Sequence, residues 1–370
     1  MEDLNLMDDI ILGEQFERVQ KEKEKLFLQV MKPQLKENMK NLNIKSLYDK
    51  LDFNVDEIET VEKVPFIPVN MFKYFELKTC DDEKVIRTLN SSATTTGNPS
   101  KIYLDRKTSV RQSQGLIATL KSFLGTKRRP MLIIDSEDIN KKSATMSARG
   151  AAVRGVSTFA NKINYVMDKQ GEELKINLER LREFEQKYKD SEILVYGFTY
   201  IVWSKFVKVL KENGIRLNMP NIKLLHSGGW KKLTSEKVNK EEFSKTVAEI
   251  FNTNPNNIID FYGMVEQVGV VFIDCECGYK HVPDFAEVII RDLLTLEEVK
   301  TGETGLIEVM SILASSYPAQ AILTEDIGEF VGTDDCKCGR KGKYFKFKSR
   351  VEKAEIRGCG DTFAEKENRL

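Results

Sequence analysis

The sequence predicts an α/β fold in which strands alternate with helices and a smaller β-rich part follows. Short apolar runs suited to buried strands, such as RPMLIID at 129–135, recur between segments suited to helices. This alternation favours a largely parallel sheet with helices on its faces. Near residue 274 the pattern of predicted elements changes, and short strands, turns and Cys-x-Cys-Gly pairs replace the long helices.

The composition is that of a globular protein. The chain has 370 residues, of which 41% are apolar and 31% charged, and this length suggests two or more packed lobes. Its 57 basic and 57 acidic side chains cancel, which argues against a nucleic-acid-binding protein. The acidic N-terminus differs from a secretion signal, and Lys205 and Lys208 interrupt the most apolar stretch. With only six cysteines, we expect a cytoplasmic protein without a membrane span.

Helical periodicity dominates the first 41 residues, and Pro33 predicts a kink or a break there. The two prolines of VPFIPVNMFKYFEL, at 64–77, predict an extended path. Further helices are predicted at about 108–124 and 172–188.

Later segments repeat the strand-then-turn pattern. IKLLHSGGW, at 222–230, predicts a strand that ends in a glycine turn. Asn239 is the predicted N-cap of a helix, with Glu242 as its capping-box partner. We divide the chain into an α/β core at 1–273 and a smaller β-rich part at 274–370.

The most unusual segment is rich in hydroxyl groups. Residues 91–96 are all small and five carry hydroxyls, while Gly97 and Lys101 follow. A phosphate-binding loop needs free backbone N–H groups, hydroxyl donors and a cation, and this segment supplies all three. Composition alone leaves two interpretations open, a loop that binds phosphates and a solvated polar turn.

Three single residues near predicted strand ends are candidates for a site. In DFYGMVEQ, at 260–267, Glu266 is suited to Mg²⁺, and the alternative is an acid that begins a helix. LTEDIGEF predicts Asp326 in a turn after a strand, where carboxylates commonly bind ribose hydroxyls; a turn-forming Asp is the alternative. The lone His226 of LLHSGGW is more typical of a structural residue than of a catalytic one.

Two cysteine pairs suggest a metal site. Cys275 and Cys277 precede His281 in CECGYKH, and Cys336 and Cys338 form CKCG. These residues are enough for a four-coordinate structural Zn²⁺ site, formed either by the four cysteines or with His281 in place of one of them. The spacing is Cys-x-Cys rather than the commoner Cys-x-x-Cys, so four reduced cysteines at neighbouring turns are the alternative.

Taken in order, the motifs resemble those of the adenylate-forming superfamily, which activates carboxylates as acyl-AMP with ATP and Mg²⁺. Within it the chain is most similar to the LuxE-type acyl-protein synthetases, the ligase component of the bacterial bioluminescence fatty acid reductase. The resemblance extends from about residue 10 to 363 and implies the N-terminal-region fold of that superfamily, with layered mixed sheets. The motifs that carry it are VPFIPVNMFK, PSKIYLDR, HSGGWKKL, DFYGMVEQVG and AEIRGCGDT.

The resemblance implies a role for each nucleotide-site residue. Gly228 and Gly229 would form a wall beside the adenine, with Tyr262 stacked nearby. Asp326 would hold the ribose hydroxyls, assisted by Arg350. The residues that would hold the ATP phosphates are Ser92, Thr94, Thr95, Thr96, Gly97 and Lys101.

For catalysis, the resemblance implies that Glu266 faces Mg²⁺. Two departures from the superfamily accompany it. Thr94 stands where the loop usually has glycine, so either the local path shifts or ATP binding is weaker; we favour a working loop. The chain stops ten residues after Gly360, so we expect it to lack the mobile C-terminal lobe and its catalytic lysine, for which Lys231 is a candidate replacement.

An enzyme thiol is the acyl acceptor that the resemblance implies, and Cys359 fits that role. Gly358 and Gly360 remove side-chain bulk around its sulfur, and nearby cations favour the nucleophilic thiolate. The alternative is a small buried cysteine.

The expected function is ATP-dependent activation of a carboxylic acid, which we expect to be a fatty acid, followed by transfer to Cys359. Delivery to a partner such as an acyl-CoA-reductase-like protein would complete the sequence. Two alternatives stay open: a ligase that passes the acyl group directly to coenzyme A or an acyl carrier, and a non-catalytic nucleotide-binding scaffold subunit.

Overall fold

The computed structural model describes residues 2–91, 99–140, 148–171, 173–229 and 237–351. One segment, Val202–Val207, is a π-helix. The α-helices of the described residues are α1 Glu2–Leu12, α2 Gln20–Asn38, α3 Leu42–Lys50, α4 Met71–Tyr74, α5 Arg106–Leu124, α6 Ala148–Val156, α7 Leu178–Tyr188, α8 Thr199–Ile201, α9 Lys208–Glu212 and α10 Lys240–Phe251.

Within the described ranges, the strands form two six-stranded sheets and two small hairpins. They are β1 Ile67–Pro68, β2 Val85–Asn90, β3 Lys101–Asp105, β4 Arg129–Ile133, β5 Ala160–Tyr165, β6 Met167–Gln170, β7 Glu173–Ile176, β8 Ile193–Phe198, β9 Ile222–Ser227, β10 Ile258–Tyr262, β11 Phe272–Ile273, β12 Lys280–His281, β13 Ala286–Arg291, β14 Thr304–Ser311, β15 Ala321–Thr333 and β16 Lys343–Arg350.

The central sheet has the strand order β11-β10-β9-β8-β4-β5, and its strands are parallel except for β11. Its middle strands are apolar on both faces, as a parallel sheet covered by helices requires. One apolar cluster covers it with α7, the helical segment at 199–212 and α10, and a second cluster covers it with α5 and α6. The predicted parallel sheet is confirmed.

The C-terminal sheet is antiparallel, with the order β12-β16-β15-β14-β13, and β1 pairs in parallel with β15. Apolar residues of α1, α2 and α3 share one core cluster with this sheet. The predicted boundary at 274 falls where the chain passes from the central sheet to the C-terminal sheet. The N-terminal helices, however, pack with the later sheet, and the division at 274 stays a prediction.

Two details of the predicted elements are wrong. Helix α2 continues through Pro33, so the predicted break is wrong, whereas a kink there stays a prediction; buried side chains on both sides of the proline, Met31 and Leu35 among them, pack into one core. The helix predicted from 172 begins only at Leu178, since Asn177 caps it by accepting from the backbone N–H of Arg180 at 2.9 Å. The residues before that cap form β7 instead.

Other local predictions are confirmed. Helix α5 and strand β4 fall where the periodicity placed them. The side chain of Asn239 accepts a hydrogen bond from the backbone N–H of Glu242 at 2.9 Å, as an N-cap does. In the part of the chain that the structure describes, every helix is too short or too polar to cross a membrane.

Gly269, in the loop that follows β10, packs closely against α5 and gives a test of that packing. Gly269 has a φ of +90°, and a Cβ there would lie 2.4 Å from the carbonyl oxygen of Gln112. Gly214 has a φ of +66° with no atom within 4 Å of the same position. Gly214→Ala should cost about 1–2 kcal/mol of unfolding free energy from backbone strain alone. Gly269→Ala should cost about 1–3 kcal/mol more, because the backbone of α5 must also move.

Urea unfolding of the two variants beside the wild-type chain measures this difference. Equal losses in both variants would contradict the close approach of Gly269 to α5.

Candidate functional site

Three parallel strands of the central sheet end at the same edge. Phe198, Ser227 and Phe261 are register partners near the carboxyl ends of β8, β9 and β10. Gly228 follows with a φ of +88°, in the left-handed region that favours glycine, and a Cβ there would lie 3.0 Å from a ring carbon of Phe198. Gly229 is exposed beside it. In open parallel sheets, ligands bind outside the carboxyl ends of the strands, which makes this edge the candidate site.

A hydrogen bond joins this edge to the C-terminal sheet. The Tyr262 hydroxyl, at the end of β10, donates to Asp326 Oδ2 at 2.8 Å, and Arg350 Nε donates to Asp326 Oδ1 at 3.0 Å. Asp326 and Arg350 are register partners on β15 and β16. Burial and the charge of Asp326 raise the pKa of Tyr262 well above its ordinary value, so the phenol stays a neutral donor. The three predicted residues therefore meet in one place.

Asp326 reaches this position from within a strand, so its predicted placement in a turn is wrong. Strand β15 runs without interruption from Ala321 to Thr333 because it pairs on one side with β14 and on the other with β16. The carboxylate is 6% exposed. Pairing with both neighbours, which the local sequence does not reveal, holds the strand extended.

Glu266 lies in a short 3-10 turn that follows β10, and it is buried. The neighbouring Gln267 fixes this turn, since its Nε2 donates to two main-chain carbonyls in and after β14 at 3.0 and 2.7 Å. Burial raises the pKa of Glu266, although the Ser100 hydroxyl and the charges of Lys73 and Arg350 oppose the shift. The turn thus holds a carboxyl group that is costly to ionise.

The described residues on either side of the hydroxyl-rich segment lie together. Asn90 pairs with Lys101 across β2 and β3. The backbone N–H of Ser100 donates to Ser91 Oγ at 2.9 Å, so the two ends of the segment lie side by side. Lys101 is exposed. Several predicted site residues lie outside the described residues: Ser92, Thr94, Thr95, Thr96, Gly97, Lys231 and Cys359.

A buried polar network supports the same strand ends. His226 Nδ1 lies 2.9 Å from Thr199 Oγ1 and 3.6 Å from Asp260 Oδ1. Lys280 Nζ donates to Asp260 Oδ2 at 2.7 Å and to Asp274 Oδ1 at 3.2 Å. Burial lowers the pKa of His226, which keeps its ring neutral. Its buried partners favour a structural role for this histidine.

Sequence analysis missed the part of this network that Asp260 and Lys280 form. Asp260 stands two residues before Tyr262, and His226 stands two residues before Gly228. Because side chains two residues apart in a strand lie on the same face, Asp260 and His226 each lie on the same face as a candidate site residue. That shared spacing was the available signal. Lys280 gave none, because it is contributed by an edge strand of the other sheet.

The cysteine pairs come together at the other end of β11. Sulfur and imidazole atoms of Cys275, His281, Cys336 and Cys338 all lie within 4.8 Å of one another. Cys275 Sγ is 3.9 Å from Cys336 Sγ, and Cys338 Sγ is 3.3 Å from His281 Nε2. Cys277 is exposed and does not belong to this group.

Comparison with known proteins gives consistent results. The family model described as acyl-protein synthetase, LuxE, matches residues 2–367. The long-chain-fatty-acid–luciferin-component ligase of Aliivibrio fischeri is 26% identical over 277 residues, covering 74% of this chain and 71% of that protein. The protein of the same name from Vibrio harveyi is 24% identical over 308 residues, covering 82% and 78%.

A similar solved structure supports the fold. An open conformation of 2-hydroxyisobutyryl-CoA ligase, in complex with 2-HIB-AMP and CoA, matches with a TM-score of 0.65 and 14% identity, covering 94% of this chain and 80% of that one. The predicted adenylate-forming fold is confirmed.

Two buried glutamates with opposite pKa shifts test the electrostatics of the site. Glu266→Gln should raise the free energy of unfolding of the ligand-free protein at pH 7, because it removes a buried charge. Since the folded pKa of Glu266 is raised, protonated Glu266 stabilises the protein below its unfolded pKa of about 4.3, and this stability is lost as pH rises through the folded pKa. The gain from Glu266→Gln should therefore disappear near pH 4.

Glu287→Gln is the matched control. Burial opposes the shift, but Lys23, at 3.6 Å, helps to hold the pKa of Glu287 below its ordinary value. The stability from ionised Glu287 is present above its unfolded pKa and is lost as pH falls through the folded pKa. Its substitution should cost about 3–5 kcal/mol at pH 7 because Lys23 loses its partner. Urea unfolding across pH measures the free energy of unfolding of both variants. Destabilisation by Glu266→Gln at pH 7 would contradict the raised pKa assigned to Glu266.

Proposed function

The chain belongs to the LuxE family of acyl-protein synthetases and is therefore an AMP-forming ligase, and from that premise we propose that it activates a fatty acid as acyl-AMP with ATP and Mg²⁺. The acyl group then passes to Cys359 and on to a partner such as an acyl-CoA-reductase-like protein. The observation that carries the proposal is the meeting of Tyr262, Asp326 and Arg350 beside the carboxyl edge of the central sheet.

The nucleoside half of ATP fits the groups at that edge. A carboxylate accepts about four hydrogen bonds, and the Tyr262 hydroxyl and Arg350 use two of the sites on Asp326, so two remain for ribose hydroxyls. Gly228 and Gly229 present backbone without side chains, which leaves room for a flat adenine ring. Arg350 donates to the carboxylate and orients it, while its own side chain stays 67% exposed.

The phosphate half of ATP fits the turn at Glu266. Hard divalent cations prefer carboxylate oxygen, and no ion pair joins Glu266 to the described residues. Bound Mg²⁺ would neutralise charge on the phosphates. The segment from Ser92 to Gly97, whose flanking residues Ser91 and Ser100 are hydrogen-bonded to each other, would wrap the phosphates together with Lys101. We include Thr94 in this working loop, since its hydroxyl adds a donor.

The reaction takes two steps. A carboxylate oxygen of the fatty acid attacks the α-phosphorus of ATP, and the bond from that phosphorus to the pyrophosphate oxygen breaks. The thiolate of Cys359 then attacks the acyl carbon, and the carbon–oxygen bond to AMP breaks, leaving a thioester and AMP. Lys231, beside the glycine turn, is proposed to steady the carboxylate during the first step. Positioning and charge neutralisation supply the rate enhancement.

Intact-protein mass spectrometry tests the proposal. The protein is incubated with ATP, Mg²⁺ and fatty acids of increasing chain length, beside Cys359→Ser and the matched control Cys277→Ser. The wild-type chain and Cys277→Ser should each gain the mass of one acyl group, and the gain should require ATP. Cys359→Ser should lose the acylation while still releasing pyrophosphate, because adenylation precedes transfer.

Two other outcomes would overturn the proposal. Release of pyrophosphate without acylation of the wild-type chain would indicate direct transfer to coenzyme A or to an acyl carrier. Nucleotide binding without pyrophosphate release from any acid would indicate a non-catalytic scaffold subunit.

A further inference from the structure

We propose that Cys275, His281, Cys336 and Cys338 bind one structural Zn²⁺ ion that fastens the edge of the central sheet to the C-terminal sheet. The inference rests on the geometry of this cluster and does not depend on the proposed ligase reaction.

Two of the separations between donor atoms are close to those around a tetrahedral ion, and all four atoms lie within 4.8 Å of one another. With zinc–sulfur bonds near 2.3 Å and zinc–nitrogen bonds near 2.0 Å, neighbouring ligand atoms lie about 3.5–3.8 Å apart. The separation of Cys275 Sγ from Cys336 Sγ is 3.9 Å, and that of Cys338 Sγ from His281 Nε2 is 3.3 Å. A three-cysteine, one-histidine set is a known composition of structural zinc sites.

Two similar turns deliver the sulfur ligands. Gly278 and Gly339 each have a positive φ, and their backbone N–H groups donate to the carbonyl oxygens of Cys275 and Cys336 at 2.8 and 2.9 Å. Glycine adopts the positive φ that closes the tight turn containing each Cys-x-Cys pair. The repetition of one turn, at segments more than 50 residues apart in sequence but adjacent in space, argues that both turns serve one centre.

The fourth ligand is a histidine because of how β12 is placed. His281 is a register partner of Tyr344 on β16, and its ring stacks on that tyrosine at 5.3 Å between centroids. Phe16 contacts the ring edge-on from the other side, at 6.1 Å. This packing aims Nε2 at Cys338. The corresponding second cysteine of the first turn, Cys277, is left exposed.

A cation also lies beside the cluster. Three thiolates and one Zn²⁺ carry a net charge of −1. The guanidinium of Arg340 contacts Cys338 and pairs with Glu276 at 2.6 Å. It also lies over the ring of Phe123 at 4.2 Å, which holds it in place beside the cluster. A fixed cation beside thiolates offsets that negative charge.

The location of the ligands gives the ion its role. Cys275 follows β11 of the central sheet, whereas His281 lies on β12 of the C-terminal sheet. Cys336 and Cys338 lie between β15 and β16. The neighbour of His281 in sequence, Lys280, reaches Asp260 on β10 at 2.7 Å, two residues before the site tyrosine. An ion here would therefore stabilise the sheet edge from which the candidate site is built.

Metal analysis of the full chain tests the proposal. Protein expressed in zinc-containing medium and purified without chelator should contain one zinc per chain. Cys336→Ser should lose most of that zinc, and the matched variant Cys277→Ser should retain all of it. Substitution with Co²⁺ should give strong thiolate-to-cobalt charge-transfer absorption and the visible bands of a tetrahedral site in the wild type and in Cys277→Ser.

A measurement on the wild-type chain covers the case in which Cys336→Ser fails to fold. Under native conditions, alkylation should modify Cys277 without a chelator, while Cys275, Cys336 and Cys338 should react only after a chelator removes the metal. Absence of stoichiometric zinc from the wild-type protein would overturn the proposal. A disulfide between Cys275 and Cys336 in the purified chain would overturn it as well.

Discussion

The hydrogen bond from Tyr262 to Asp326 is the contact on which the geometry of the candidate site depends. It joins the last residue of β10 in one sheet to the middle of β15 in the other, at 2.8 Å. Without it, the buried carboxylate would keep only Arg350, whose side chain is largely exposed and therefore a weaker partner. Because the tyrosine fixes the distance between the sheets, it also fixes where Glu266, four residues later, meets the end of the hydroxyl-rich segment.

Contacts on both sides of Tyr262 hold β10 in this position. Before it, Asp260 pairs with Lys280 from the edge of the C-terminal sheet. On the other side of Tyr262, the side chain of Gln267 donates hydrogen bonds to the carbonyl oxygens of Val309 and Ala319, in and after β14. Lys280 and Gln267 are buried donors that would cost free energy if left unpaired, so polar contacts join the two sheets as well as apolar ones. A bound nucleotide would then contact groups that are already in place.

Local features of the fold were predictable because short-range chemistry decides them. The cap at Asn239 and the strand before Gly228 depend on nearby residues, and both are present. The predictions that failed depend on distant partners: Pro33 stays helical because its neighbours are buried, and Asp326 stays in a strand because β14 and β16 hold it there. Lys280 was missed for the same reason. The sequence named most of the candidate residues, but the pairing of sheets decides which of them meet.

Nucleotide binding to variants of β15 tests the central claim most directly. Asp326→Asn keeps an acceptor for the Tyr262 hydroxyl but removes the charge that the ribose hydroxyls and Arg350 would use. Glu325→Gln, one residue earlier on the strand, is the matched control; its carboxylate accepts from Asn70 at 2.7 Å instead. In calorimetric titration with ATP and Mg²⁺, Asp326→Asn should weaken binding about 10–100-fold, as loss of charged hydrogen bonds predicts, while Glu325→Gln should bind like the wild type. Unchanged affinity in a folded Asp326→Asn variant would contradict the account.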